Sequence, residues 1–290
     1  MRKILILRGG ALGDFLVSLP ALALLRQRWP HARIELVGNA TAAALGLRAG
    51  LIDRVDSQHD RIWGALYADT ALPAGLQARL AGYDLVINYW PDPDRTLGRH
   101  FPLSPAQIFL TTAALPEIGP AAAHYCAPLQ ELGLAGGNYA HLLARPCPNP
   151  SEIALHPGSG APAKNWPLQR WASLAKWLGR DAGSPLVIIS GEAEPEAVMA
   201  GVGEPWRHLP LEQLLHRLAQ CRLFIGHDSG ISHLAAAAGI PCLLLFGPTD
   251  PAVWAPPHPQ VKIIRPGRSL TDITVPMVRR EVEAMLRDQK

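Results

Sequence analysis

A turn of small and polar residues between an apolar stretch and a helical one is the part of the sequence best suited to chemistry. The apolar stretch 223–225 runs into GHDSG at 226–230, and an alanine-rich segment with the composition of a helix follows. A turn that opens a helix presents free backbone N–H groups and the positive end of the helix dipole. Because both attract anions, this turn predicts a phosphate site.

Five residues of the turn and helix are candidates for that site. We expect Asp228 to fix the turn, and the N–H groups of Ser229, Gly230 and Ile231 to face the phosphate. His233 lies one turn into the helix, where its ring could donate to a diphosphate or to its sugar. The alternative for His233 is a structural histidine whose hydrogen bonds are satisfied within the protein.

The segment HPGSGAPAKNWP at 156–167 also places a loop of small residues after an apolar stretch. Ser159 and the N–H groups near Gly160 can donate to phosphate oxygens, and Lys164 supplies a positive charge. The segment lacks the GK[ST] of a P-loop, and a surface loop with a solvated lysine is the alternative. Trp166 and Trp171 are expected to pack in the core beneath the next helix.

Near the N-terminus, RGGALGD at 8–14 lies between the first predicted strand and the first predicted helix. Gly9, Gly10 and Gly13 would let the backbone approach a ligand closely. The glycine spacing is not GxGxxG, and no acidic residue ends the second strand, so a dinucleotide cofactor is not supported. Asp14 stands where a helix N-cap belongs; it is either a capping residue or a general base that takes a proton from a hydroxyl.

Other acidic residues are less specific. In SGEAEPE at 190–196 one carboxylate could accept hydrogen bonds from a ribose diol, although acidic residues in a first helical turn also complement the dipole. Asp92-Pro93-Asp94 matches a metal-binding DxD pattern, but its central proline favours a turn. The four cysteines form no CxxC pair and no histidine cluster has ligand spacing, so we predict neither a metal nor a cofactor.

Strands and helices must position these segments, and the apolar pattern indicates where they lie. Strands are predicted at 3–7, 33–37, 84–88, 153–156, 186–190, 223–225, 242–246 and 261–264, and helices at 14–29, 168–178 and 211–219. Continuous Val, Ile and Leu runs are typical of parallel strands buried on both faces. The alternation predicts an α/β fold of doubly wound sheets, whose ligands bind beyond the carboxyl ends of the strands.

A proline-rich stretch divides the chain. Residues 144–151 hold three prolines within five positions, which predicts a linker and a domain boundary near residue 148. Each half then opens with an apolar strand and a glycine-containing loop, and two such domains facing each other would share a ligand in the cleft. Residues 90–128 are rich in proline and weak in periodicity, and we expect a loop excursion near that cleft.

The totals are those of a globular chain, with 290 residues of which 48% are hydrophobic and 18% charged. A net charge of +3 is too small to indicate a nucleic-acid partner. No apolar run approaches the roughly 20 residues that span a bilayer, and the cysteine usage fits the cytosol. The basic C-terminal segment 262–290 is either a solvated last helix or a contact with an anionic membrane surface.

Four segments together resemble glycosyltransferase family 9, the ADP-heptose:lipopolysaccharide heptosyltransferases. They are ILRGGALGDFLVSLPAL at 6–22, HPGSGAPAKNWP at 156–167, ISGEAEPE at 189–196 and HDSGISHLAAAAGIPCLLLFGPTDPAVWAP at 227–256. The resemblance implies a GT-B fold, in which two Rossmann-like domains face across a cleft. It implies an acceptor-binding domain at 1–148, a nucleotide-sugar-binding domain at 149–275 and a C-terminal helix at 276–290 that packs back on the N-terminal domain.

The resemblance also implies an inverting, metal-independent transfer, with Asp14 as the general base and Lys164 as the cation near the phosphates. The residues implied for nucleotide-sugar binding are Gly9, Gly10, Gly13, Ser159, Gly160, Lys164, Glu194, Asp228, Ser229, Gly230, Ile231 and His233. Glu192 and Glu196 compete with Glu194 for the ribose. Arg95, Arg99 and His100 are candidates for contacts with an anionic acceptor.

The implied donor is a nucleotide-diphospho-sugar, with ADP-heptose as the first candidate, and the implied acceptor is a lipid-linked or lipopolysaccharide core glycan. The implied location is the cytoplasm, with peripheral contact at the inner face of the membrane, and no cofactor is implied. Two other functions are compatible with the same residues. One is a sugar-nucleotide epimerase with a GT-B fold, and the other is a module that binds a nucleotide sugar without turnover.

Overall fold

Two α/β units make up the chain in the computed structural model, which describes residues 1–136, 139–180, 184–191 and 202–288. The first unit is Met1–His141 and the second is Leu142–Lys290. The division comes before the predicted boundary at residue 148 because the intervening residues bond to the second unit. The Leu143 N–H donates to the Ala237 carbonyl at 2.8 Å, and the Cys147 N–H to the Ala219 carbonyl at 2.7 Å. The segment predicted as a linker therefore begins within the second unit.

The first unit is built on a parallel five-stranded sheet in the order β3-β2-β1-β4-β5. The strands are β1 (Lys3–Arg8), β2 (Arg33–Gly38), β3 (Arg54–Ser57), β4 (Leu85–Asn88) and β5 (Ile108–Thr111). The central strand β1 pairs with β2 on one side and β4 on the other, and its residues 4–7 are fully buried. The continuous apolar run is thus explained by helices on both faces of the sheet.

The helices of the first unit are α1 (Leu12–Leu16), α2 (Leu19–Arg28), α3 (Ala40–Arg48), α4 (Ala74–Ala81) and α5 (Ala121–Cys126). The single helix predicted at 14–29 is wrong, because the chain breaks between α1 and α2. Pro20 has no N–H to donate to the Leu16 carbonyl, and its ring is tolerated only in the first turn of a helix, where the structure places it. The loop predicted at 90–128 is also wrong in part, since it contains β5 and α5.

The second unit has a parallel six-stranded sheet in the order β11-β10-β9-β6-β7-β8. The strands are β6 (Glu152–Leu155), β7 (Leu186–Ser190), β8 (Glu204–Arg207), β9 (Cys221–His227), β10 (Cys242–Leu245) and β11 (Val261–Ile264). The helices are α6 (Leu168–Arg180), α7 (Leu211–Leu218), α8 (Gly230–Ala237), α9 (Pro251–Trp254) and α10 (Val275–Arg287). Within the described ranges, no helix is both long and apolar enough to cross a membrane.

The last helix uses its apolar face within the second unit. Val278, Val282 and Met285 are buried in the same cluster as Leu174 and Leu178 of α6. Their spacing of three and four residues is that of one helix face. The packing on the N-terminal domain that the resemblance implies stays a prediction.

The burial of the central strand of the first sheet can be tested at Leu5 of β1, which is fully buried. Leu5→Ala is expected to lower the free energy of unfolding by about 2–5 kcal/mol, because it removes buried methyl groups and leaves a cavity. Leu47→Ala in α3 is the matched control, since that leucine is 40% exposed, and it is expected to change stability by less than about 0.5 kcal/mol. Urea unfolding followed by circular dichroism measures both, and equal losses would contradict the placement of Leu5 in the core.

Candidate functional site

The two candidate phosphate segments of the second unit meet because the strands before them are neighbours. β6 and β9 pair in parallel, and the His156 N–H after β6 donates to the Ile225 carbonyl of β9 at 2.9 Å. The loop at 157–167 and the turn at 228–229 therefore leave the sheet at the same edge. That edge is where open α/β sheets bind their ligands.

An ion pair joins the loop to the turn. Lys164 ends a short 3₁₀ turn, Pro162–Lys164, and its Nζ lies 2.6 Å from Oδ2 of Asp228. The Asp228 side chain is only 11% exposed, whereas the Lys164 side chain is 31% exposed. The sequence predicts that Asp228 fixes its own turn, and the structure shows that its carboxylate holds the lysine of the other loop. The Lys164 side chain is thus held by an ion pair while it stays partly exposed to solvent.

Ser229 begins helix α8 as its N-cap. Its Oγ accepts a hydrogen bond from the Ser232 N–H at 3.3 Å and lies 3.4 Å from Nδ1 of His156. Gly230 and Ile231 occupy the first two helical positions, where an N–H has no carbonyl one turn earlier to accept it. The predicted strand–turn–helix is therefore present, and its contact with phosphate stays a prediction.

Ser159 and Gly160 shape the neighbouring loop. The Ser159 Oγ lies 2.6 Å from Oδ1 of Asn165 and 2.9 Å from the Ala161 carbonyl, so its single proton is used within the loop. Gly160 has a φ of +70°, in the left-handed region that favours glycine. The predicted phosphate contact of Ser159 is untested, and it would require the hydroxyl to donate to a phosphate oxygen in place of these acceptors.

His227 is a site residue that the sequence analysis missed. Its ring is fully buried at the end of β9, and Nε2 accepts the Trp166 N–H at 2.9 Å. Because Nε2 is an acceptor, the proton is on Nδ1, which lies 3.3 Å from the Gly158 carbonyl and donates to it. The two bonds reach both sides of Lys164, so His227 fixes the loop that presents the lysine. A lone histidine in a sequence gives no signal of such a role.

The His227 ring is held neutral. Burial lowers its pKa to about 3, the hydrogen bond to the Gly158 carbonyl opposes that shift, and nearby His156 adds to it. A neutral imidazole offers one donor and one acceptor, which are the groups that the loop requires. Protonation would turn Nε2 into a donor facing the Trp166 N–H, and that hydrogen bond would be lost.

The remaining predicted residues of the second unit divide into three groups. Trp166 and Trp171 are 1% and 0% exposed and pack edge to face at 5.3 Å, which confirms the prediction of core packing. His233 is buried in α8, 8% exposed, and its contact with a diphosphate stays a prediction. Glu192, Glu194 and Glu196 lie outside the described residues.

In the first unit, Asp14 is the third residue of α1 and not its N-cap. The N-cap is Ala11, whose N–H donates to Oδ2 of Asp14 at 2.8 Å, so the carboxylate caps the helix from inside its first turn. The other oxygen, Oδ1, lies 3.2 Å from Nη2 of Arg8. The Asp14 side chain is 30% exposed, which leaves the carboxylate open to a hydroxyl group.

The glycines before Asp14 bring the backbone against other groups. Gly10 has a φ of +102°, and a Cβ at this position would collide with the Asp14 carboxylate. A Cβ at Gly9 would lie 2.9 Å from Oε1 of Gln58 and 3.1 Å from Nε1 of Trp90. Gly13 lies in α1 and its carbonyl accepts the Val17 N–H at 3.0 Å. The backbone at Gly9 and Gly10 therefore lies close to other protein atoms. Its close approach to a nucleotide sugar stays a prediction.

The candidate acceptor residues lie on one irregular segment after β4. Arg95 is exposed with a φ of 59°, and Arg99 is exposed and pairs with Asp69 at 3.2 Å. Nε2 of His100 is buried without a hydrogen-bond partner among the described residues. These positions are compatible with an anionic ligand, and the acceptor contact stays a prediction.

The DxD segment forms a turn, as its proline indicates. Both Asp92 oxygens accept backbone N–H groups, from Leu97 at 2.9 Å and from Gly98 at 2.8 Å. Among the residues that the structure describes, no three His, Cys, Asp or Glu side chains are grouped so that they could hold a metal ion. Asp92 is therefore used by the backbone.

The family model that matches this chain covers mainly its second unit. The model of Glycosyltransferase family 9 (heptosyltransferase) matches residues 130–273, which include the loop at 157–167 and the turn at 228–230. Residues 130–273 belong to glycosyltransferase family 9. Curated proteins similar to this chain include Lipopolysaccharide heptosyltransferase 2 of Escherichia coli (strain K12), 31% identical over 162 residues. The match covers 46% of the chain and 46% of that relative, so the chain spans less than half of its length.

Solved structures of the family confirm the predicted α/β class and GT-B fold. The glycosyl transferase family 9 from Veillonella parvula superposes with a TM-score of 0.80 at 21% identity, over 99% of this chain and 98% of that one. The E. coli heptosyltransferase WaaC with ADP superposes with a TM-score of 0.74 at 21% identity, over 98% and 99% of the two chains. The family match gives no support to the epimerase or to the module without turnover.

The neutral state of His227 predicts how stability depends on pH. The unfolded histidine takes up a proton near its ordinary pKa of about 6.5, whereas the folded ring does so only near 3. Between these values the unfolded state binds one more proton, so the free energy of unfolding is expected to fall by up to about 1.4 kcal/mol per pH unit as pH decreases. Below a pH of about 3 this contribution is lost completely.

Urea unfolding at pH 4, 5, 6 and 7 measures this dependence, with the three lower values inside the window that His227 controls. His227→Asn removes the titrating ring and is expected to flatten the slope by about one proton. His31→Asn is the matched control, because that histidine is exposed and is expected to leave the slope unchanged. Identical slopes in the wild type and in His227→Asn would contradict the neutral buried ring.

Proposed function

We propose that this protein is an inverting, metal-independent glycosyltransferase that moves heptose from ADP-heptose to a lipopolysaccharide core glycan. The observation that supports it most directly is the Lys164–Asp228 pair beside the start of α8, in a chain of glycosyltransferase family 9. The curated relatives are lipopolysaccharide heptosyltransferases, and WaaC was solved with ADP and with ADP-2-deoxy-2-fluoro heptose. We transfer donor and acceptor from these relatives.

The second unit would bind the donor through its diphosphate. Lys164 supplies a positive charge, and the N–H groups of Gly230 and Ile231 point from the start of α8 together with the helix dipole. Negative charge grows on the diphosphate as the bond to the sugar breaks. Groups that are already oriented toward that charge stabilise the transition state without a metal ion.

The first unit would supply the base. The acceptor oxygen forms a bond to the anomeric carbon on the face opposite the diphosphate, and the carbon–oxygen bond to the phosphate breaks. The bonding electron pair leaves with the phosphate oxygen, and the hydroxyl proton moves to the Asp14 carboxylate. Asp14 is partly exposed, so a hydroxyl group can reach it. Inversion at the anomeric carbon follows from the single displacement.

The acceptor and the location follow from the same relatives. A lipopolysaccharide core carries negative charge, and the exposed Arg95 and Arg99 are the side chains that we propose contact it, with His100 beside them. We further propose that the enzyme works in the cytoplasm at the inner face of the membrane, where it makes peripheral contact.

The transfer itself is tested with purified protein, ADP-heptose and a heptose-deficient core acceptor, with product stereochemistry read by NMR. Asp14→Asn is expected to lower kcat by about 10²–10⁴-fold, because the amide cannot accept the hydroxyl proton, while the ADP dissociation constant stays unchanged. EDTA is expected to leave the rate unchanged.

Asp60→Asn is the matched control, because that aspartate is exposed and its side chain makes no capping bond. Full turnover in Asp14→Asn would contradict the base, and activity that is lost with EDTA would contradict metal independence. No transfer by the wild type from any ADP-, UDP- or GDP-sugar would overturn the proposed function.

Lys164 tests the donor site separately. Lys164→Met is expected to weaken ADP binding about 10–100-fold, because one charged hydrogen bond to the diphosphate is lost, and to lower kcat as well. Isothermal calorimetry with ADP, UDP and GDP measures the affinity and also identifies the preferred base. Lys176→Met is the matched control, since Lys176 is an exposed lysine of α6. Unchanged ADP affinity in Lys164→Met would contradict this assignment.

A further inference from the structure

Arg8 is a buried cation beside the Asp14 carboxylate. It ends β1, and its side chain is only 4% exposed. Its Nε donates to the Asp14 backbone carbonyl at 2.9 Å, and its Nη2 donates to Oδ1 of the Asp14 carboxylate at 3.2 Å. One planar guanidinium group therefore holds both the main chain and the side chain of the same residue.

The guanidinium group also contacts the ring of Tyr125 of α5. The Arg8 Cζ lies 4.3 Å from the centroid of the Tyr125 ring, which is a cation–π contact. The tyrosine is fixed in turn, because it is fully buried, its hydroxyl donates to the Ala114 carbonyl at 2.8 Å, and its own carbonyl accepts the Tyr89 hydroxyl at 2.6 Å. Arg8 is thus held by contacts with both a fixed ring and Asp14.

The contacts of Asp14 have different consequences for its two oxygens. The bond from the Ala11 N–H to Oδ2 is one that any aspartate at the third position of a helix can make. The bond from Arg8 to Oδ1 is an additional one, and it fixes the rotation of the carboxylate plane. Each oxygen keeps a lone pair, and the side chain is 30% exposed, so the carboxylate is fixed while it stays reachable.

We propose that Arg8, supported by Tyr125, is a positioning residue that holds the Asp14 carboxylate in the orientation that accepts the acceptor proton. This inference rests on the proposed function, in which Asp14 is the general base. A base that is misplaced by about 1 Å can lower the rate about 10²-fold. The proposal also assigns a role to α5, which lies in the segment that the sequence analysis treated as a loop.

The test compares variants at Arg8 in the transfer assay. Arg8→Met is expected to lower kcat about 10–100-fold, while the KM for the donor and the ADP dissociation constant stay unchanged. Arg8→Lys keeps the charge without the planar fork, so it is expected to recover part of the loss. In Arg8→Ala, added guanidinium chloride at millimolar, non-denaturing concentrations is expected to raise kcat, whereas sodium chloride at equal ionic strength does not.

Variants of Tyr125 test whether its ring supports Arg8. Tyr125→Phe keeps the ring over the guanidinium group and is expected to retain kcat, whereas Tyr125→Leu removes the ring and is expected to lower it. Arg79→Met is the matched structural control, because Arg79 also pairs with carboxylates, those of Glu35 and Asp56, and lies over the Trp63 ring. It is expected to lower the melting temperature without changing kcat in the folded protein.

Asp14→Asn separates failure of this inference from failure of the proposed function. If Asp14→Asn turns over normally, the general base is wrong and the inference falls with it. If Asp14→Asn is inactive while Arg8→Met and Arg8→Lys keep the wild-type kcat, only the inference is overturned. In the Asp14→Asn background, Arg8→Met is expected to cause no further loss of kcat. Should Arg8→Met fail to fold, Arg8→Lys with an unchanged kcat would overturn the inference, and its reduced kcat at unchanged donor KM would support it.

Discussion

The parallel pairing of β6 with β9 is the constraint from which the candidate donor site follows. Neighbouring parallel strands end at the same edge of a sheet, so the loop after β6 and the turn after β9 meet there. Lys164 and Asp228 are 64 positions apart in the chain, and this pairing brings their charged groups to 2.6 Å. Without the register of the two strands, neither the ion pair nor the His227 hydrogen bonds could form.

Both units use a buried polar residue to support a charged side chain that solvent can reach, either through the loop that carries it or by direct contact. In the second unit the buried group is the neutral His227, and the group it helps to present is Lys164. In the first unit the buried group is Arg8, and the group it contacts is Asp14. A side chain that is partly exposed has rotational freedom, and a fixed hydrogen bond from the interior limits that freedom at little cost to access.

Much of this architecture could be predicted from the sequence, and the rest could not for identifiable reasons. The inner strands β1 and β9 are continuous apolar runs, whereas β3, β5 and β8 are edge strands whose exposed positions interrupt the pattern. The break before Pro20 was missed because the apolar spacing continues through it. The turn between β9 and α8 was predictable from its residue types, since it is a local feature.

Contacts between residues that are far apart in the sequence could not be predicted from sequence patterns. The Lys164–Asp228 pair depends on strand register, and the contact of Arg8 with Tyr125 depends on where α5 packs. The role of His227 depends on its burial, which lowers its pKa, and on its hydrogen bonds with Trp166 and Gly158, which select its tautomer. Each of these is decided by the assembled fold, so motif spacing gives no indication of it.

The position of Gly10 leaves no space for a side chain. Its backbone is in the left-handed region, and the space where a side chain would begin is filled by the Asp14 carboxylate. Even alanine, the smallest alternative, would both strain the main chain and displace that carboxylate. A larger residue at this position is therefore tolerated only if the loop between β1 and α1 changes with it.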